Sequence, residues 1–168
     1  MRVAAIVLAA GEASRFGSPK QRILLPRVLE RLRETPVDEI VVVEGAYELS
    51  AEDARIVRCP EWARGPGASL RCGLAALAAD VEAAVIALAD GPNLSPQAVD
   101  RVLAEWRTRG GIVAASYDGE RGHPLVLGRV DWDEVPDEGL RDRPVRLVSC
   151  DDLGTPGDVD VRDDLEAF

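Results

Sequence analysis

The strongest constraint on this chain of 168 residues lies at its start, in Val3-Ala-Ala-Ile-Val-Leu-Ala-Ala-Gly11-Glu-Ala-Ser-Arg15-Phe-Gly17-Ser-Pro-Lys20. Val3 to Ala9 is apolar without alternation, the pattern of a strand covered on both faces in a parallel sheet. The run stops in a glycine loop. Gly11 and Gly17 open backbone conformations closed to other residues and let a ligand approach the main chain. Ala9, Ala10, Ala13 and Ser14 are small enough to keep that approach clear. Successive N–H groups in such a loop can form a concave anion site, and Arg15 and Lys20 add the charge that a di- or triphosphate requires. Two other glycine motifs are excluded. A Walker loop needs Gly-Lys-Ser/Thr in succession, and Ser18 and Pro19 stand between Gly17 and Lys20. A dinucleotide fingerprint needs Gly-x-Gly, and position 13 is Ala.

The order Leu-Ala-Ala-Gly-x-x-x-Arg-x-Gly-x-x-Lys resembles the signature loop of nucleotidyltransferases with a glycosyltransferase-A-like fold. It is most similar to the MobA-like transferases, in particular the molybdenum cofactor cytidylyltransferase-like branch. The implied architecture is a single α/β domain over residues 1–168. It is a three-layer α/β/α sandwich with a mostly parallel central sheet, nucleotide-diphospho-sugar transferase-like. The alternative for the loop alone is a strand-to-loop turn with two solvated cations.

Composition adds to this. The chain holds 20 Lys plus Arg, and Lys20 is its one lysine. A compact ammonium placed only in the glycine loop suggests a specific need there. The net charge of −10 disfavours nucleic acid and anionic membrane surfaces, while a local cationic loop can still hold a nucleotide. No apolar run is long enough to span a bilayer, and the first strand ends unlike a signal peptide. Cys59, Cys72 and Cys150 are odd in number and form no Cys-x-x-Cys pair. They read as unpaired small apolar residues of a reducing, cytoplasmic protein.

Along the chain, a helix is predicted over Leu24 to Glu34, with Pro26 in its first turn and Leu25, Val28, Leu29 and Leu32 inward. Strands are predicted over Glu39 to Glu44 and Arg55 to Cys59. Trp62-Ala-Arg-Gly65-Pro-Gly67-Ala-Ser69-Leu70 then feeds a helix over Ala68 to Ala79. N–H groups at its start, with Ser69 and the small Gly67, could read the edge of a base, or the segment is a plain helix entry. The resemblance implies the base pocket. Ala83 to Ala89 is an apolar strand ending in Asp90-Gly91-Pro92. Open α/β sheets bind ligands at such strand ends, where a carboxylate can hold Mg²⁺ against phosphate oxygens; a turn-capping Asp is the alternative. The family places Asp-x-Pro here, and Gly91 stands where the cytidylyltransferase-like branch often has Gln, which leaves the acceptor open.

Ser95-Pro96 suggests an N-cap and first-turn proline for a helix to about Arg107, followed by a strand over Ile112 to Ser116. Asp118-Gly119 suggests a hairpin turn. Gly122-His123-Pro124 precedes a strand over Leu125 to Leu127, and its histidine is the chain's only one. His123 could be a general base, an acceptor contact or an ordered loop residue; the family's Gly-His-Pro loop, which faces the acceptor side, implies the contact. Asp137-Glu-Gly139-Leu-Arg141 resembles a trimmed Gly-Asp-x-Gly-Ala-Arg segment, and Pro144 to Cys150 is a further strand. The ending Asp158-Val-Asp160-Val-Arg-Asp-Asp-Leu165 resembles Asp-Ile-Asp-Thr-Pro-Glu-Asp-Leu. Asp158 or Asp160, with Asp160 preferred, is thereby a metal ligand beside Asp90, or the segment is an acidic tail helix. Between Lys20 and the first helix the chain is shorter than the family pattern.

The resemblance implies a Mg²⁺-dependent nucleotidyltransferase. Arg15, Lys20 and Asp90 are the candidate catalytic residues. Leu8, Ala9, Ala10, Gly11, Arg15, Gly17, Lys20, Gly65, Gly67 and Ser69 are the candidate nucleotide contacts. Gly91, Pro92 and His123 face the acceptor, and Asp90 and Asp160 bind the metal. The expected substrates are a nucleoside triphosphate, CTP favoured, and a small phosphorylated acceptor such as a molybdopterin-type cofactor. A sugar 1-phosphate acceptor and a non-catalytic nucleotide sensor are the alternatives. A monomer or homodimer is expected.

Overall fold

The computed structural model describes residues 1–11 and 20–157. Strand β1 (Arg2–Ala9) is an interior strand of the sheet and is followed by helix α1 (Lys20–Arg33). Then come β2 (Glu39–Glu44), β3 (Arg55–Arg58), α2 (Pro66–Ala75), β4 (Val81–Leu88) and α3 (Pro96–Arg109). The chain closes with β5 (Ile112–Tyr117), β6 (Glu120–Gly128) and β7 (Arg146–Ser149). The seven strands form one sheet in the order β3-β2-β1-β4-β6-β5-β7. Only β6 runs against the rest, pairing Ala83 with Gly128 and Ile86 with Leu125 on β4. Its first residues therefore lie at the carboxyl end of the parallel strands, the end where such sheets bind ligands.

The alternation of β1 sorts the core into two layers. Val3, Ala5, Val7 and Ala9 face Leu25, Val28 and Leu29 of α1 and Val99, Val102 and Leu103 of α3. Ile6 and Ala10 face Leu70 and Leu74 of α2, together with Val135 and Leu140. Gly73 makes the second packing close, because a Cβ there would stand 2.8 Å from Ile6 Cγ2 and 3.0 Å from Val43 Cγ2. This is the expected three-layer α/β/α arrangement. Among the described residues no helix is long and apolar enough to cross a membrane.

Several local expectations are corrected. Helix α1 begins at Lys20, so Pro26 is its seventh residue rather than part of its first turn. Burial of Leu24, Leu25, Val28, Leu29 and Leu32 stabilises α1 despite the backbone donor lost at Pro26. Helix α2 covers Pro66–Ala75, two residues earlier at its start and four at its end than the pattern implied. Ser95 occupies the N-cap position of α3, but its hydroxyl donates to Gln97 Oε1 at 2.9 Å instead of capping. The β5–β6 hairpin does turn at Asp118-Gly119, both with positive φ as a type I′ turn needs. Pairing of Ser116 with Arg121 and Tyr117 with Glu120 pulls Gly122-His123-Pro124 into β6 rather than leaving it as a preceding loop. Pro124 falls where the β5–β6 register shifts, so its missing N–H breaks no regular ladder bond.

The cysteine expectation is also corrected. Cys59 and Cys72 are disulfide-bonded, with Cα atoms 5.8 Å apart, and only Cys150 is free. Their 13-residue separation hides the pairing in the sequence, whereas α2 folds back over the end of β3 and brings them together. Closing a loop of this length restricts the unfolded chain by about 3 kcal/mol. Excess dithiothreitol is therefore expected to lower the melting temperature by roughly 6–12 °C, at 2–4 °C per kcal/mol. Cys72→Ser should show the same lower value without reductant. Superimposable melts of the wild type with and without reductant would contradict the bond's contribution.

Candidate functional site

The carboxyl ends of β1 and β4 carry two cavities that share one residue. The first, of about 280 Å³, is lined by Leu8, Ala10, Gly11, Trp62, Ala63, Gly65, Pro66, Ser69 and Leu88. The second, of about 520 Å³, opens between β4 and the β5–β6 hairpin, and includes Leu88, Gly91, Tyr117, Arg121 and His123. Leu88, the last residue of β4, belongs to both walls, and Asp90 follows two positions on. Each space is of a size for a small molecule, and the two share a wall at the end of one strand.

The first cavity is built by one face of the end of β1 and by the start of α2. Leu8 and Ala10 lie on the α2 face and line it, whereas Ala9 lies on the opposite face among α1 and α3 residues. The period of the strand therefore turns the Ala9 side chain away from this cavity. Trp62 packs over Gly45, where a Cβ would stand 2.5 Å from its Cγ, and the tryptophan makes one cavity wall. Gly65 and Ser69 join that wall.

Gly67 has a different task. Its N–H donates to the Asp137 carbonyl at 2.8 Å, and an added Cβ would come 1.6 Å from the Pro136 carbonyl oxygen. The Ala68 and Ser69 amides both reach the Gly65 carbonyl. The α2 amides are thus engaged within the protein and are not open to a base edge, which corrects the expectation for Gly67. The segment around Asp137 is strapped to α2 from the outside as well. Arg71 donates to the Val135 carbonyl at 2.6 Å and to the Asp137 carboxylate, and Arg64 reaches the same carboxylate at 3.1 Å. These two guanidiniums, Arg71 foremost, hold the Asp137 carboxyl below the usual carboxylate range.

At the other side of the first cavity, Gln21 of α1 donates its Nε2 to the Gly11 carbonyl at 2.7 Å. This bond ties the end of β1 to the start of α1, so the two ends of the glycine loop are held together. Lys20 is the first residue of α1, and no acidic residue stands in that helix's first turn. Arg15 and Gly17 lie outside the described residues, as do Asp158 and Asp160.

In the second cavity Gly91 sits against Pro156, where a Cβ would stand 3.1 Å from the proline Cβ, and the Asn93 N–H donates to the Pro156 carbonyl at 2.9 Å. The turn after β4 is thereby fixed to the segment at 155–157. Pro92 is buried beneath this turn and does not line the cavity. Tyr117 donates its hydroxyl to the His123 carbonyl at 2.7 Å, and burial pushes its phenol up to about 12. Burial, reinforced by the charge of Arg121, brings the His123 imidazole down to about 4. His123 is thus neutral at pH 7 and can accept or donate a hydrogen bond. Tyr117 and Arg121 are site residues that sequence reasoning missed; the hairpin turn next to the lone histidine was the available signal.

Asp90 is half-buried and belongs to the wall of neither cavity. Among the described residues no group of three or more His, Cys, Asp or Glu side chains gathers around one point. A single hard carboxylate at this position suits Mg²⁺, which usually takes one or two protein carboxylates and completes its shell with water and substrate phosphates. It does not suit a closed structural zinc site, which needs four ligands.

Residues 5–149 match the MobA-like NTP transferase domain. A probable molybdenum cofactor guanylyltransferase of Mycobacterium avium is 32% identical over 143 residues, spanning 80% of this chain and 73% of the relative. The bifunctional protein GlmU of Rubrobacter xylanophilus is 30% identical over 142 residues, 77% of this chain, and the match spans only 30% of that longer relative. Among solved structures, Rv0371c of Mycobacterium tuberculosis superimposes with a TM-score of 0.84 at 27% identity, covering 99% of this chain and 96% of its own. The crystal structure of Rv0371c in complex with manganese superimposes at 0.80 with 24% identity, covering 99% and 97%. With a family match over most of its length, a sheet of the nucleotide-diphospho-sugar transferase kind and paired cavities at the strand ends, the chain belongs to the MobA-like NTP transferase family, whose members are nucleotidyltransferases.

Proposed function

We propose that the protein transfers a nucleoside monophosphate from a nucleoside triphosphate to a small phosphorylated acceptor of the molybdopterin type, releasing pyrophosphate. The observation that carries this reading is the meeting of two cavities at Leu88, with Asp90 immediately beyond. The donor occupies the first cavity, its base beside Trp62 and Ser69 and its phosphates towards Gly11 and the glycine loop. The acceptor occupies the second. An acceptor phosphate oxygen attacks the α-phosphorus, and the bond to the bridging oxygen breaks. Pyrophosphate leaves with the electron pair. An acceptor phosphate is already ionised at neutral pH, so no dedicated base is needed and His123 is not assigned that role. Arg15 and Lys20 stabilise the leaving pyrophosphate, and Asp90, with Asp160, holds Mg²⁺. When bound, that ion offsets charge developing on the phosphate oxygens. The protein otherwise contributes position and fixed charge.

CTP is the preferred donor in this reading, on the cytidylyltransferase-like pattern of the loop. The guanylyltransferase name of the Mycobacterium avium relative favours GTP as the second reading. A thermal-shift panel of CTP, GTP, ATP and UTP with Mg²⁺ separates them, since a ligand selective for the folded state raises its stability. Pyrophosphate release with acceptor distinguishes an enzyme from a nucleotide sensor. Lys20→Ala is expected to lower turnover at least tenfold, the scale of one lost charge-stabilising contact. Undiminished turnover in that variant would remove the loop from the phosphate site.

A further inference from the structure

The second cavity has an uneven distribution of charge. Its floor is apolar or small: Ala87, Leu88, Gly91 and Leu94. Its hairpin wall carries Tyr117, Asp118, Glu120, Arg121 and His123. Of these, Tyr117 and His123 are neutral at pH 7, so Arg121 is the one cation on the wall among the described residues. Among the described residues it forms no ion pair, and partial burial lowers its affinity for the proton. Elsewhere on this chain, guanidiniums near carboxylates are used as structural ties, as with Arg64 and Arg71 on Asp137 and Arg101 on Asp152. Arg121 is close enough for its charge to act on the His123 ring, so a fork of donors and a neutral imidazole face the same space.

We propose that Arg121 is the specificity-determining anchor of the acceptor, taking two oxygens of its phosphate monoester in the guanidinium fork with His123 beside it and leaving the third oxygen free to attack the donor. The proposal rests on the assignment of the second cavity to the acceptor. The fork geometry matches a phosphate bidentately, which a lysine would not do. Asp118 and Glu120 at the hairpin tip repel an anion from the rest of the mouth. An acceptor phosphate therefore has one favourable position on this wall. Arg121 is an exposed wall residue that touches substrate without carrying the fold.

The chain's single histidine supplies the readout. Its imidazole Hε1 resonance reports on this cavity alone. Phenyl phosphate, used as the probe at pH 7, is expected to shift that resonance saturably, whereas phenol at the same concentration leaves it in place. In Arg121→Gln the midpoint should rise about tenfold or more, the loss of one charge-assisted contact, with Arg121→Lys in between. The thermal shift given by CTP or GTP with Mg²⁺ should be equal in the wild type and both variants. No movement of the His123 resonance with phenyl phosphate in the wild type would overturn the proposal. An unchanged midpoint in Arg121→Gln would overturn it as well. Failure of every nucleoside triphosphate to stabilise the wild type would instead defeat the functional assignment on which the proposal rests.

Discussion

Gly67→Ala is expected to cost about 3 kcal/mol or more of folding stability, and roughly 6–12 °C of melting temperature for a chain of this size. The reason is a contact with backbone, which cannot swing aside. The new Cβ would lie 1.6 Å from the Pro136 carbonyl oxygen and 2.9 Å from that of Asp137. The 135–139 segment would have to lift off α2. It would then lose the Gly67 amide bond and distort the Arg71 contacts to Val135 and Asp137. A fair comparison is Gly119→Ala. Gly119 has φ of +80° in the hairpin turn but nothing within 4 Å of an added Cβ, so it carries only the left-handed strain, about 1 kcal/mol. Differential scanning calorimetry of the two variants decides the matter. If Gly67→Ala melts no lower than Gly119→Ala, the strap does not hold the start of α2.

The second large effect belongs to Asp90. Asp90→Asn keeps the side chain's shape and removes its charge. If Asp90 holds Mg²⁺ against the triphosphate, turnover should fall by about two orders of magnitude or more, the range seen when a preorganised electrostatic contact is removed. The Mg²⁺-dependent part of triphosphate binding should disappear. Isothermal titration with and without Mg²⁺ measures the linkage directly. Titration curves identical to those of the wild type would take Asp90 out of the metal site.

The sheet was legible in the sequence because its strands are nearly pure apolar runs. Ile40 to Val43 and Ala83 to Ala87 admit few other readings. The helices were legible in their buried faces but less so at their ends. Lys20 to Ile23 carries no inward stripe of its own, so the early start of α1 at the edge of the loop left no periodic signal. Cavity residues were found where a motif marks them, as with Gly11, Gly65 and Ser69. They were missed where tertiary placement alone decides. Tyr117 and Arg121 join the second cavity because a hairpin turns at Asp118-Gly119, and Ala9 leaves the first because strand residues alternate. The Cys59–Cys72 pairing is of the same kind, since two residues in different elements meet only after α2 folds back.

Strand β6 has a consequence for how the two halves of the reaction can diverge. Because this one strand is reversed, it delivers its beginning, not its end, to the carboxyl rim of the sheet. On the proposed assignment, the donor cavity is built from strand-to-helix crossovers, which cannot be altered without disturbing a helix. The proposed acceptor cavity draws on a two-residue hairpin, which can lengthen, shorten or exchange side chains with no helix attached. A protein built this way can acquire a new acceptor as one cassette while its handling of the triphosphate is left intact.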